Sequence, residues 1–310
     1  MKWLSATQAV CRRSLAAVAA VAAVVLGGCL SFHQGAMPGE PSDATFVTID
    51  GVRVRYVDVG EGPTVVLLHG FASAIETWAG VMPALRRNHR VIALDLKGFG
   101  WTDRPAGDYS PTAQARLVIA LLDERGVDRA AVVAHSWGAS VALAMAAAAP
   151  ERIERLALYD AWVFAAQPPG FFRWARYAGL GEVLFGLYYD QRVDERLAMA
   201  FWDPSRINQA FIDEVERALE RPGTKAAALA ATRGQDFGPL ERSYAAVQHP
   251  VLLLWGRDDQ VTPLHYGERL ARTLPDARLE VYERCGHFPM IEASAASTGA
   301  LVAFLGEAPR

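Results

Sequence analysis

The chain has 310 residues, 52% of them hydrophobic and 21% charged, and a formal net charge of −3. That length supports one large core or two small ones, in a composition ordinary for a globular protein. Basic residues such as Arg152, Arg155, Arg192 and Arg196 are interleaved with acids, which excludes a basic nucleic-acid-binding face.

In chain order, the first segment stands apart from the rest. Lys2, Arg12 and Arg13 give it positive charge without a single acid, and Leu15 to Leu26 is apolar but too short to span a bilayer comfortably. It ends in Leu26-Gly27-Gly28-Cys29, which resembles the signal of bacterial lipoproteins. The resemblance implies a signal peptide over residues 1–28, a lipid on Cys29, and an exported protein held in the cell envelope by that anchor. An ordinary secretory signal or an uncleaved N-terminal anchor is the alternative, and Arg12-Arg13 hints at twin-arginine export with poorly matching flanks. Residues 29–44, small and polar with Gly, Pro and Ser throughout, suit a flexible tether.

Thr45 to Val59 alternates around Asp50-Gly51, a two-residue hairpin signal. Apolar strand-like runs follow at Thr64–Leu68, Arg90–Leu94, Ala130–Ala134, Leu156–Tyr159, Val251–Trp255 and Arg278–Tyr282. Most are separated by helical patterns, among them Thr112–Arg125, Ser140–Ala149 and Pro263–Leu274, and Ser294–Leu305 closes the chain with Ser294 as its expected N-cap. Strands alternating with helices mean an α/β fold with a mainly parallel sheet and helices on both faces. Between Trp162 and about Val247 the rhythm becomes helical, so residues 45–161 and 248–310 are expected to form the core and 162–247 a helical cap. Its aromatics Phe171, Phe172, Trp174, Tyr177, Phe185, Tyr188 and Tyr189 should pack the cap on the core, some of them lining an apolar pocket.

The segment Arg129 to Ala146, RAAVVAHSWGASVALAMA, reads as strand, sharp turn and helix with Ser136 at the turn. Such a nucleophile elbow lifts the hydroxyl off the sheet edge and aims the positive helix end at the reaction centre. Ala134-His135-Ser136-Trp137-Gly138 departs from G-x-S-x-G only by alanine for the first glycine. Val251–Trp255 runs into Gly256-Arg257-Asp258-Asp259, and Arg278–Tyr282 into Cys285-Gly286-His287-Phe288, so the order is serine, acid, histidine, each just after a strand. Two further motifs sit after strands: His69-Gly70-Phe71-Ala72, and Asp95-Leu96-Lys97-Gly98-Phe99-Gly100-Trp101-Thr102. With these motifs, the chain from about Thr45 to Leu305 resembles a serine-dependent member of the α/β-hydrolase superfamily.

A serine hydroxyl needs a base to take its proton, and of seven histidines only His287 combines a post-strand loop with a preceding glycine. The family pattern W-G-x-x-D-x-x-x-P falls on Trp255, Gly256 and Pro263 and assigns the acid to Asp259. Asp258 becomes a turn residue, and Asp160 is the fallback, since some superfamily members place the acid there. The resemblance also assigns the oxyanion hole to the backbone N–H groups of Phe71 and Trp137. Asp95 is expected to hold its own loop by hydrogen bonds, and Cys285 to be an apolar filler. No metal spacing or cofactor motif is present.

Together these imply a hydrolase that forms a serine acyl-enzyme with a small-molecule ester of a small to medium apolar acid. Serine at the elbow argues against dehalogenase and epoxide hydrolase branches. Lactonase, C–C bond hydrolase, aminopeptidase and haloperoxidase-like chemistry stay open, the C–C hydrolases usually showing N-S-M-G-G at the elbow and tryptophan after the histidine. An aminopeptidase would draw on Glu182, Asp190, Asp194 or Glu195 to bind an amine. A surface binding protein that keeps the fold without turnover is the reading from another class.

Overall fold

The computed structural model describes residues 30–189, 193–207 and 209–308. The signal-like segment and Cys29 lie outside these residues. Among the described residues no helix is long and apolar enough to cross a membrane.

Eight strands form one sheet in the order β1-β2-β4-β3-β5-β6-β7-β8: β1 Thr45–Ile49, β2 Val52–Val59, β3 Thr64–Leu68, β4 Arg90–Leu94, β5 Ala130–His135, β6 Ile153–Tyr159, β7 Val251–Gly256 and β8 Ala277–Tyr282. The β1–β2 and β2–β4 pairs are antiparallel and the rest parallel. The first hairpin turns at Asp50 (φ 48°) and Gly51 (φ 77°), the positive backbone angles that a tight two-residue turn demands. Residues of β3, β5 and β7 are buried on both faces because helices cover both sides. One core layer joins Val66, Leu68, Val132 and Leu253 to Leu117, Leu121 and Leu143. The other joins Val65, Leu67, Val133 and Leu252 to Trp78, Leu301 and Phe304.

The helices are α1 Met82–Leu85, α2 Pro111–Glu124, α3 Trp137–Ala148, α4 Gly170–Ala175, α5 Leu180–Tyr188, α6 Val193–Ala200, α7 Gln209–Glu220, α8 Thr224–Arg233, α9 Gly238–Glu241, α10 His265–Thr273, α11 Pro289–Glu292 and α12 Ser294–Leu305. Helices α4 to α9 all lie between β6 and β7. Several boundaries differ from the sequence expectation, three of them at helix starts that bear on the loops. Helix α2 starts at Pro111 because Ser110 Oγ accepts from Ala113 N–H at 3.2 Å. Helix α3 begins directly after Ser136, three residues earlier than expected. Ser294 is not the N-cap of α12; Ala293 is, without a side-chain cap, because the preceding turn α11 already delivers the chain in register.

Residues 30–44 also differ from a loose tether. His33 exchanges backbone hydrogen bonds with Arg104 at 2.9 and 2.8 Å, and Gly35 N–H donates to Asp103 Oδ1 at 2.8 Å. Met37 is buried and Glu40 pairs with Arg53. Small and polar residues are compatible with either state, and the strap's backbone groups find partners on the loop after β4.

Candidate active site

Ser136 sits between β5 and α3 with φ 51° and ψ −121°, a region that costs a non-glycine residue about 1–3 kcal/mol and persists only where neighbours enforce it. Here they do. Its N–H donates to Tyr159 O at 2.9 Å, and its carbonyl accepts from Trp162 N–H at 3.0 Å and Ala139 N–H at 3.0 Å. The flanking backbone leaves no spare volume: a Cβ at Gly138 would stand 2.5 Å from His69 O, and one at Gly70 would stand 3.1 Å from Ser136 Cβ. The loop bearing Phe71 therefore passes against the nucleophile only because residue 70 is glycine. The Trp137 N–H opens the 12-residue helix α3, whose dipole adds positive potential there.

His287 Nδ1 lies 2.8 Å from Asp259 Oδ2. The Asp259 carboxylate also accepts from Val261 N–H at 2.7 Å, Thr262 N–H at 2.9 Å and the Thr262 hydroxyl. Burial opposes its ionisation, but the His287 ring and these donors outweigh burial and hold its pKa well below the usual carboxylate range. With Nδ1 donating to Asp259, the lone pair of Nε2 is left to act as base. Ser136 Oγ has no hydrogen-bond partner among the described residues, so its bond to that nitrogen has to close when substrate is engaged.

Asp160 follows β6, buried and at φ 42°. It is not bonded to His287: its Oδ1 accepts from Gly256 N–H at 2.9 Å, and its carboxyl lies against that of Asp259. Burial and the neighbouring Asp259 charge push its pKa well above the ordinary value, which keeps it neutral. The geometry thus gives the acid's position to Asp259 and leaves the fallback as a protonated neighbour. Asp160, Asp259 and His287 offer ligand atoms within 4.8 Å of one another. In that cluster His287 Nδ1 is already hydrogen-bonded to Asp259 at 2.8 Å.

Three supporting residues escaped the sequence reading. His135 reaches back with Nε2 to His287 O at 2.9 Å, and burial keeps its pKa well below the normal value, so the ring is neutral and Nε2–H donates. Glu292 accepts from Gly286 N–H at 2.8 Å and Trp202 N–H at 2.9 Å, bridging the histidine loop to the helical insertion. Ala200 O accepts from His287 N–H at 2.7 Å. Their contacts to the histidine loop are not legible in sequence: His135 lies in the elbow motif but reaches a partner 152 residues away, and Ala200 and Glu292 carry no motif.

The remaining motif residues have structural work. His69 is neutral, driven so by burial; its Nε2 accepts from Leu96 N–H at 2.9 Å and its Nδ1–H donates to Gly70 O at 2.7 Å. Asp95 receives Ile75 N–H at 2.8 Å and Trp101 N–H at 2.8 Å. Cys285 is buried, and burial raises its thiol pKa, so it is no thiolate nucleophile.

Phe71 stands at the centre of the apolar wall, with ring centroids 5.3 Å from Phe99, 6.2 Å from Trp137, 5.2 Å from Phe172 and 6.5 Å from Tyr189. The last two belong to the insertion, so aromatics of both parts meet over the elbow. Trp174 and Tyr177 do not join them: they are 60% and 68% exposed. The side chain of Tyr188 lies outside the described residues. Of the acids considered for an amine site, Glu182 pairs with Arg233 at 2.9 Å and Glu195 is exposed. Asp190 and the Asp194 side chain fall outside the described residues.

Comparison with known proteins follows the same outline. A sequence model described as the alpha/beta hydrolase fold matches residues 63–294. The 2-hydroxy-6-oxo-2,4-heptadienoate hydrolase of Pseudomonas putida is 32% identical over 258 residues, 79% of this chain and 90% of that protein. A crystal structure of a meta-cleavage product hydrolase, CumD, superposes with a TM-score of 0.75 at 28% identity, covering 85% of this chain and 98% of that one. A crystal structure of a membrane phospholipase A superposes with a TM-score of 0.71 at 25% identity, covering 97% of this chain and 94% of that one.

Proposed function

Because the chain belongs to the α/β-hydrolase family, we propose that Ser136, His287 and Asp259 hydrolyse a carbonyl compound through an acyl-enzyme. The observation that supports this most is the strained Ser136 at the β5–α3 turn beside a histidine whose Nδ1 is held by a buried carboxylate. Ser136 Oγ adds to the carbonyl carbon as His287 Nε2 takes its proton, and Asp259 stabilises the imidazolium. The N–H groups of Phe71 and Trp137 receive the oxyanion. His287 then returns the proton to the leaving group, and water, activated by the same histidine, releases the acyl group.

The bond cut is proposed to be the carbon–carbon bond beside a ketone, as in the 2-hydroxy-6-oxodienoates for which the relatives are named. In that reaction Ser136 adds to the 6-oxo carbon. Once the dienol has ketonised, with the 2-hydroxyl proton moved to C5, the C5–C6 bond breaks with its electron pair spread into the conjugated 2-oxo group, and the dienolate takes the proton carried by His287 on its C2 oxygen. A small apolar acyl group left on Ser136 suits the aromatic wall of Phe71, Phe99 and Trp137.

A second reading, carboxylic ester hydrolysis, is favoured by specific residues. The elbow reads Ala134-His135-Ser136-Trp137-Gly138 and Phe288 follows the histidine, both unlike the C–C hydrolases. The buried cations Arg104 and Arg221 are engaged with Gly100 O and, for Arg221, with Glu214, rather than facing the elbow where a dienoate carboxylate would need charge.

Steady-state kinetics on 2-hydroxy-6-oxohepta-2,4-dienoate, followed by loss of its absorbance, and on p-nitrophenyl esters of graded acyl length separates the two. A kcat/KM for the dienoate about 100-fold or more above that of the best ester is expected, a margin of transition-state binding near 3 kcal/mol. The reverse order replaces the carbon–carbon reading with the ester one. Turnover of either that survives Ser136→Ala overturns the nucleophile assignment.

A further inference from the structure

We propose that the turn between α4 and α5, together with Leu30 and Phe32, docks on the surface of an anionic phospholipid bilayer. From residue 173 to 180 every residue except Ala175 is exposed, and the run reads Arg173, Trp174, Arg176, Tyr177, Ala178, Gly179, Leu180. Trp174 is 60% exposed and Leu180 44%. Large apolar groups cost free energy while they stay in water, and the insertion does not turn these inward. Tryptophan and tyrosine on a surface turn, two arginines beside them and no acid within the run form the composition that settles at a headgroup boundary. The rings enter the interface and the guanidinium groups meet lipid phosphates.

The position of the N-terminal strap carries the inference independently. Leu30 and Phe32 line a cavity of about 410 Å³ with Tyr109, Glu182, Leu229 and Arg233. Arg233 is the link to the turn: it donates to Ala175 O at 3.3 Å and Tyr177 O at 3.4 Å while pairing with Glu182. The chain therefore enters the described fold beside the exposed aromatic turn. The sequence that precedes Leu30 contains the apolar run Leu15–Leu26 and the cations Lys2, Arg12 and Arg13. The apolar, cationic sequence that joins the fold at Leu30 and the exposed turn beside that entry point address one surface, and that surface is a bilayer rather than another protein. Glu182, the nearest acid on α5, is neutralised by Arg233 and does not oppose an anionic surface.

The test needs no turnover, so it stands or falls apart from the hydrolase reading. The full-length chain is mixed with vesicles of phosphatidylcholine and phosphatidylglycerol, with or without brominated acyl chains, and tryptophan emission is compared between wild type and Trp174→Phe. The component lost in the variant should be quenched about twofold or more by brominated lipid. Tyr177→Trp, should Trp174→Phe fold poorly, should add a component quenched to the same degree. Reversing charge with Arg173→Glu and Arg176→Glu should lower the bound fraction about fivefold or more at low salt. A chain that sediments with vesicles while neither the Trp174 emission nor the component added by Tyr177→Trp is quenched is held by its N-terminal segment alone, and overturns the proposal. So does a chain that fails to sediment at all.

Discussion

The strand-end loops and the helical insertion between β6 and β7 solve different problems with different bonds. At the strand ends the loops are tied by polar side chains bonded to backbone: Asp95 gathers Ile75 and Trp101, Asp259 gathers Val261 and Thr262, and His69 spans Leu96 and Gly70. Around α5 the insertion is held instead by ring contacts such as Phe185 on Tyr189 at 4.8 Å and by the partly exposed ion pair Glu182–Arg233. Directional bonds fix atoms to the tolerance that proton transfer needs, whereas ring packing tolerates sliding. The contrast assigns chemistry to the first region and substrate choice and access to the second. The two meet at Glu292 and Ala200, where the insertion grips the histidine loop.

The contrast breaks most severely if the strand-end residues prove dispensable. Ser136→Ala should lower kcat by roughly 10⁴–10⁶-fold with unchanged circular dichroism; retention of a tenth of the activity would move the nucleophile elsewhere. Asp259→Asn should cost about 10⁴-fold by leaving His287 in the wrong tautomer. If it costs under tenfold, Asp160 has taken over as acid, which the double variant with Asp160→Asn would show by a further collapse.

Glu292→Gln sharpens the boundary. It keeps the shape but weakens two charge-assisted bonds, to Gly286 and Trp202, so kcat should fall about tenfold while the thermal midpoint drops a few degrees. A KM effect without a kcat effect would mean that the insertion shapes binding alone and does not position His287.

Asp160→Asn probes the buried neutral acid through pH. Its folded pKa is raised above the unfolded value near 4. As pH climbs past that unfolded value, the unfolded chain releases a proton that the folded one retains, so wild-type stability is lost with rising pH. The asparagine variant lacks this loss and should gain on wild type by about 1 kcal/mol per pH unit above pH 4. Denaturant melts at pH 4, 5.5 and 7 measure the trend, and a gap that narrows as pH rises contradicts a protonated Asp160. Trp174→Ala should have the smallest effect, within about 0.5 kcal/mol of wild-type stability in vesicle-free buffer, because an exposed ring has little packing to lose.

Much of this was legible because catalytic loops carry local geometry into sequence. A positive φ at Ser136 needs small neighbours at 70 and 138, and the parallel strands show themselves as apolar runs buried on both faces. The strap of residues 30–44 was not legible: Gly, Pro and Ser suit a free linker equally well, and its partners Asp103 and Arg104 lie some 70 residues away. The cap aromatics were legible only as a group. Phe172 and Phe185 turn inward while Trp174 and Tyr177 face out, a division set by the axes of two short helices that no periodicity over so few turns can specify.

By itself the sequence determined the α/β architecture, the order of the proposed nucleophile, acid and base, and the strand ends on which they fall, since period, glycine placement and chain order are local properties. The sequence pattern pointed to Asp259 with Asp160 as its fallback, and the tertiary structure shows which of the two carboxylates meets His287 Nδ1, across 28 residues of chain. It likewise tied Ala200 and Glu292 to the histidine loop and left Trp174 and Tyr177 in water. These outcomes depend on burial and on distances between segments remote in sequence, which exist only once the sheet has closed its two faces.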